Sequence, residues 1–382
     1  MIKLLQFILV FICLSSTNAQ RMFRVSIQIP AAMEGKSFLI TYNDGLSQTI
    51  PITDTFTHQR LNFSGKFYSR FAVLKIKHVA SDSIVHSDEY FIGTNPAEIV
   101  FSDSATMLND GHFKYDRLTN VVEISQSKIK KQRDAFVKTE TDEIKRFCNE
   151  NGSSIFRKDS LLKLYWKKYN KIRNKDIEFV KKNGNEYFSF WWFRTQIVST
   201  TFYDDNSTVL DFENLLNVYN KVFPSDLKST AEGKKMEELL IGKINTRINY
   251  AAPNFEMKDI NGNNIRLKDF KDKYILFDFW ATWCGPCVRE IPFIKKIRDD
   301  YPENKLAIIS VSGDYDINEF KSMIKEKDMN WIHIYGDKTM PIKFGVTAYP
   351  TIFLIDKNGT IIFDGKGKDT DDLIALLKGM QI

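Results

Sequence analysis

The run Tyr274-Ile-Leu-Phe-Asp-Phe-Trp-Ala-Thr-Trp-Cys-Gly-Pro-Cys-Val-Arg-Glu-Ile-Pro292 carries two thiols, Cys284 and Cys287, at the point where an apolar strand gives way to a helix. Residues i and i+3 of a helix share a side, so these two sulfurs can close a small ring and reopen it without refolding the chain. The first thiol sits where unpaired backbone N–H groups point outward and the helix dipole is positive. A thiolate is stabilised there, which brings its pKa below the free value of about 8.5. A fall to about 7 takes the reactive fraction at neutral pH from a few per cent to about half. Cys284 is the expected nucleophile and Cys287, a turn deeper, the expected resolving thiol. Pro286 carries no N–H and shapes the turn, while Trp280 and Trp283 are expected to screen the site.

Other chemistries compete for the same residues. Cys-x-x-Cys also begins zinc ribbons, but a structural zinc takes four ligands. No second cysteine pair exists, and the five histidines (58, 78, 86, 112 and 333) form no spaced pair, so no metal is expected. A purely structural disulfide is the remaining alternative, although so small a ring does little for stability. Asp278 lies mid-strand, six residues before Cys284, where a carboxylate is costly and usually has a task. It either takes the proton from Cys287 as a mixed disulfide resolves or is an ordinary strand-end acid. Glu290, at i+3 from Cys287, either tunes or accepts the thiol proton or is a solvated helix acid. Pro350, in Thr347-Ala-Tyr-Pro-Thr351, marks either a cis bond, rare and kept for a reason, or a trans proline that starts a strand.

The chain has 382 residues, enough for two or three domains, with 43% hydrophobic and 27% charged residues, an ordinary globular balance. Its 54 Lys and Arg against 48 Asp and Glu are spread along the chain and form no basic stripe, so no nucleic-acid partner is expected. Residues 1–19 read as a secretory signal peptide: a basic start, the apolar run Leu4–Leu14 and small residues up to Ala19. An uncleaved anchor or lipidation at Cys13 are the alternatives. Removal of that segment leaves Cys148, Cys284 and Cys287, which is one redox pair on a core-built protein and not a disulfide scaffold. Cys148 reads as an inert thiol.

Residues 20–125 show short alternating runs, of which Phe23, Val25, Ile27 and Ile29 are the clearest, separated by turns such as Asn43-Asp44-Gly45 and Asn109-Asp110-Gly111. They predict an all-β sandwich-like domain. Residues 126–248 repeat apolar positions every three or four residues and predict an α-helical segment. Its aromatic run Tyr187–Phe193 reads as packing between helices, with a ligand box as the alternative. Residues 249–382 alternate strands with helices, the pattern of an α/β sheet covered on both faces.

Residues 251–382 resemble the thioredoxin superfamily, specifically the TlpA/ResA-like exported thiol-disulfide oxidoreductases. The likeness runs through Ala252-Pro-Asn-Phe255, Asn261-Gly262, Phe279-Trp-Ala-Thr-Trp-Cys-Gly-Pro-Cys287, Glu290-Ile-Pro292, Phe344-Gly-Val346 and Tyr349-Pro-Thr-Ile-Phe-Leu-Ile-Asp356-Lys-Asn-Gly359. It implies a thioredoxin fold, a redox disulfide Cys284–Cys287 as the sole redox group with no further cofactor, a cis Pro350, and a proton-handling acid at Glu290. Substrate contacts are implied for Trp283, Gly285, Pro286 and Tyr349, whose backbone would pair with an extended substrate segment. Asp278 matches the buried acid of thioredoxin itself, where many TlpA-like members carry Asn. Tyr349 is bulkier than the Thr or Ile common before this proline. Upstream, Phe91-Ile-Gly-Thr-Asn-Pro96, Phe179-Val-Lys-Lys-Asn-Gly184 and Phe223-Pro-Ser-Asp-Leu-Lys228 look more loosely like a β-domain of unknown function with a helical segment, and imply no activity.

The expected function is an exported reductant of protein disulfides in the periplasm or cell envelope, serving cytochrome c maturation or thiol homeostasis. Its partners would be protein thiols and disulfides and a membrane electron donor. A disulfide oxidase or isomerase is the alternative enzyme. An envelope binding or scaffold protein with an incidental redox module is the alternative of another class. The peroxidatic pattern Pro-x-x-x-Thr-x-x-Cys is absent.

Overall fold

The computed structural model describes residues 20–35, 37–45, 49–55, 59–80, 83–102, 113–199, 212–365 and 370–380. The expected signal peptide and the Asn109-Asp110-Gly111 turn lie outside them. Contacts divide the chain into two compact units, 1–127 with 229–232, and 128–228 with 233–382. No described helix is long and apolar enough to cross a membrane.

The strands of the first unit are β1 (Arg21–Gln28), β2 (Ser37–Asn43), β3 (Thr49–Thr55), β4 (Arg60–Phe67), β5 (Ala72–Ala80), β6 (Ser83–Ile92), β7 (Ala97–Phe101), β8 (Tyr115–Thr119) and β9 (Val121–Glu123). They form two sheets, ordered β4-β1-β7-β8 and β3-β2-β5-β6-β9. Alternation in β1 buries Phe23, Val25 and Ile27 and leaves Arg24 outside. Those residues and Ile99 share one apolar core with Phe38, Ile40, Leu74, Ile76 and Tyr90 of the other sheet, which makes the unit a sandwich. Sequence patterning did not reveal β3, β4 and β8. All three are edge strands, where one side needs no partner and a proline such as Pro51 is tolerated.

The second unit opens with α1 (Lys128–Phe136), α2 (Lys138–Asn151), α3 (Asp159–Lys182), α4 (Tyr187–Trp192), α5 (Phe212–Val222) and α6 (Ser225–Lys228), followed by α7 (Ala231–Asn245). The aromatic run of α4 is core: Phe190 and Phe193 pack on Phe223 with ring centres 5.2 and 5.3 Å apart. Arg133 makes a buried two-pronged ion pair with Asp176 (2.7 and 2.8 Å) and covers the Trp192 ring.

The rest of this unit is β10 (Glu256–Lys258), β11 (Asn264–Arg266), β12 (Tyr274–Trp280), α8 (Gly285–Asp300), β13 (Leu306–Ser312), α9 (Ile317–Glu326), β14 (Ile332–Tyr335), α10 (Thr339–Lys343), β15 (Thr351–Ile355), β16 (Ile361–Asp364) and α11 (Thr370–Gly379). The central sheet runs β14-β13-β12-β15-β16. Strands β12, β13 and β14 are parallel, and β15 and β16 continue the sheet antiparallel. Both faces are covered, which is why β12 and β13 read as near-continuous apolar runs. Ile275, Phe277 and Phe279 face a core with Phe255 and Phe344. Leu276 faces the opposite core with Ile294, Ile297, Leu373 and Leu377. Side chains alternate along a strand, so Asp278 shares the α8 face with Leu276 and Trp280. Helix α10 was not legible in the sequence, since five residues containing Pro341 carry no helical period. Asp337 starts it by accepting from the amides of Thr339 and Met340 (2.7 and 3.0 Å).

Candidate active site

Strand β12 ends at Trp280, and Cys284 caps α8 in an extended conformation (φ −87°, ψ 97°). Cys284 and Cys287 form a disulfide with an S–S distance of 2.04 Å. The Cys287 amide donates to Cys284 Sγ across 3.2 Å. This N–H is one of the first-turn donors that has no partner within the helix, and on reduction the same donor faces the Cys284 sulfur. Pro286 lies in the first turn, where its missing N–H leaves no bond unmade. Gly285 and Pro286 are exposed. The two sulfurs are not: Cys284 and Cys287 are 6% and 3% accessible, lodged among Trp280, Ala281, Ile291, Phe320 and Met329.

The Tyr349–Pro350 peptide is cis, and Tyr349 packs against the cluster that holds the cysteines. Its ring meets Trp283 edge-on at 5.9 Å and covers Gly313, where an added Cβ would come within 2.5 Å of it. Burial pushes the Tyr349 hydroxyl up to about 12, so it stays neutral. Trp283 is 57% exposed and stacks with Tyr315, itself 60% exposed, with ring centres 6.5 Å apart and planes 13° from parallel. Asp314 locks this platform. It accepts from the Thr282 amide (2.8 Å), Thr282 Oγ1 (2.7 Å) and Ser312 Oγ (2.7 Å), tying the turn before Cys284 to the turn after β13. Trp280 is 1% exposed and packs on Phe320 within the cluster that holds both cysteines, so it walls the pair from the inner side while Trp283 stands exposed.

Asp278 is buried and lies in register with Ser310, which is in register with His333. Ser310 Oγ donates to Asp278 Oδ2 (2.9 Å), and Trp331 Nε1 donates to Ser310 Oγ (2.8 Å). Burial pushes the Asp278 carboxyl up to about 7, against the lowering effect of the Ser310 hydrogen bond. A group titrating there gives and takes protons near neutral pH. His333 bonds the Met329 carbonyl through Nε2 (2.9 Å), and burial pushes it down to about 4, so its ring is uncharged. Glu290 lies half-buried on α8, one turn beyond Cys287.

The structure therefore gathers Trp283, Gly285, Pro286 and Tyr349 around the cysteine pair, with Pro350 next to Tyr349, and sets Asp278 in the sheet beneath, bonded to Ser310. Sequence reasoning missed Ser310, Trp331, Asp314 and Tyr315. Two signals were available. Ser310 is a polar residue inside a buried apolar strand, which demands a partner. Ser312-Gly-Asp-Tyr-Asp316 follows the carboxyl end of a parallel strand, where sites of α/β sheets gather. Among the described residues no group of three or more His, Cys, Asp or Glu is placed to hold a metal.

A disulfide that caps the first helix of such a sheet, beside an exposed aromatic platform, is the centre of a thioredoxin-fold thiol-disulfide exchange protein. Residues 248–363 match the AhpC/TSA family. Thiol-disulfide oxidoreductase ResA of Bacillus thuringiensis subsp. konkukian is 37% identical over 139 residues, covering 36% of this chain and 76% of that protein. ResA of Geobacillus thermodenitrificans is 33% identical over 122 residues, 31% of this chain and 69% of that protein. Among solved structures, the thioredoxin domain of a thiol-disulfide oxidoreductase from Bacteroides vulgatus is 27% identical, covering 34% of this chain and 97% of that chain, with a TM-score of 0.31. Through its last third the chain belongs to the ResA family of thiol-disulfide oxidoreductases, an enzyme class whose redox group is the cysteine pair itself.

Proposed function

We propose that this oxidoreductase works as a reductant of polypeptide disulfides outside the cytoplasm. The observation that carries the exchange chemistry is the Cys287 amide directed at Cys284 Sγ, a donor suited to hold a thiolate between turnovers; the direction rests on the dipeptide between the cysteines. Thiolate Cys284 attacks one sulfur of the substrate disulfide. That S–S bond breaks, its second sulfur leaves as a thiolate, and a mixed disulfide joins Cys284 to the substrate. Cys287 then loses its proton and attacks Cys284 Sγ. The Cys284–Cys287 bond forms, and the substrate departs as a dithiol carrying two electrons and, after protonation, two protons. Asp278 is the proposed acceptor of the Cys287 proton, and Glu290 its alternative. Trp283, Gly285, Pro286, Tyr349 and Pro350 form the proposed substrate contacts.

The Gly-Pro dipeptide between the cysteines is that of thioredoxin, whose potential is about −270 mV, and this favours reduction. An oxidising compartment then requires an electron donor on the membrane to recharge the pair. The signal-like residues 1–19 support export to the periplasm or cell envelope, with misoxidised envelope proteins or apocytochrome c thiols as clients. Equilibration with glutathione buffers tests the direction: a potential near about −270 mV supports it, and one above about −150 mV overturns it in favour of an oxidase. The client is identified by trapping, since Cys287→Ser leaves the mixed disulfide unresolved for mass spectrometry.

A further inference from the structure

Helix α7 ends before the residues that match the AhpC/TSA family, yet its last turn packs against the chain that leads into the Tyr349–Pro350 loop. Gly242 has no side chain because there is no room for one: a Cβ would stand 2.2 Å from the Ile342 carbonyl oxygen and 2.9 Å from the Gly345 amide. Gly345 answers from the other side, at φ +61° and with space for a Cβ only 2.6 Å from the Lys243 backbone. Thr246 Oγ1 donates to the Gly242 carbonyl (2.8 Å) and lies 3.2 Å from the Phe344 carbonyl oxygen. Within this contact Lys243 is only 2% exposed. A buried ammonium is retained where its charge and its N–H groups find partners. Lys243 Nζ donates to Thr347 Oγ1 across 3.2 Å and stands 5.3 Å from the centre of the Phe212 ring. Thr347 lies two residues before Tyr349.

We propose that Lys243 is a positioning residue for polypeptide substrates, fixing Thr347 and through it the Tyr349 backbone on which an extended substrate segment pairs. The last turn of α7 is then a working part of the redox site, although it lies outside the AhpC/TSA match. This rests on the reading of the site as a polypeptide disulfide reductant. It differs from a packing role because a small disulfide needs only Cys284 Sγ, whereas a polypeptide also needs the loop.

The test compares insulin with hydroxyethyl disulfide as substrates for the full chain and for Lys243→Met and Thr347→Val. Each variant should raise KM for insulin about five- to tenfold, the net worth of one hydrogen bond. kcat for insulin and all kinetics with hydroxyethyl disulfide should change less than about twofold on the same reasoning. Lys243→Arg, which can still donate to Thr347, should recover most of the loss, and the double variant should be no worse than the worse single one. Unchanged insulin kinetics in Thr347→Val, or an equal fall with both substrates, would overturn the proposal. A wild-type chain inert toward both substrates would overturn the functional reading itself, and this proposal with it.

Discussion

Replacing Asp278 with asparagine should stabilise the oxidised protein by an amount that grows with pH. In the folded chain this carboxyl keeps its proton up to about 7, whereas its ordinary value is 3.8. Between these limits the folded state binds a proton that the unfolded state has released, so stability falls as pH rises. The favourable contribution is complete below pH 3.8 and gone above about pH 7. The slope is about 1.36 kcal/mol per pH unit, and about three units give a loss of about 4 kcal/mol. The amide of the Asp278→Asn variant does not titrate, and its carbonyl can still accept the Ser310 hydroxyl. The advantage of Asp278→Asn over wild type should therefore widen by about 3 kcal/mol between about pH 5 and about pH 8. Urea unfolding of the oxidised chain at several pH values, followed by tryptophan fluorescence, measures it. A difference between the two proteins that stays constant with pH would refute the argument, because burial would then not be holding the proton on Asp278.

Ser310→Ala removes the hydrogen bond that favours the charged carboxylate, so the Asp278 titration should move higher by about half to one pH unit; carbon NMR of the carboxyl reads this directly, and an unmoved titration counts against the Trp331–Ser310–Asp278 chain. Tyr315→Ala deletes half of the exposed aromatic platform and should weaken binding of a disulfide flanked by apolar residues by about 1 kcal/mol, seen as a higher KM for polypeptides and not for hydroxyethyl disulfide. Gly313→Ala forces a methyl group into the Tyr349 ring and should lower stability by about 1–3 kcal/mol; a melting temperature equal to wild type would mean that the Tyr349 loop yields freely.

The redox centre was legible in the sequence because its information is local. The cysteine spacing, the apolar strand before it and the proline within the first turn lie in one short run, and helix-terminus physics does the rest. The sandwich was legible where apolar residues alternate plainly, as in β1; β4 alternates too, turning Leu61, Phe63 and Phe67 inward, but Asn62, Ser64, Gly65 and Lys66 dilute its apolar signal. What surrounds the cysteines was harder to see because it comes from distant segments. Asp314 and Tyr315 follow β13 and Trp331 precedes β14; only folding brings them to a common place. Trp280 was legible from its place at the end of the strand: it faces inward, into the cluster that holds both cysteines.

The burial of Cys287 beneath Cys284 has a kinetic consequence. Apart from this pair, Cys148 is the free cysteine among the described residues, and it lies far along the chain on α2. In the proposed cycle electrons enter and leave through Cys284, next to the exposed Trp283. A donor that recharged the disulfide and a client that discharged it would then meet the same sulfur and take turns there, so turnover should follow ping-pong kinetics, with an excess of either one inhibiting the other.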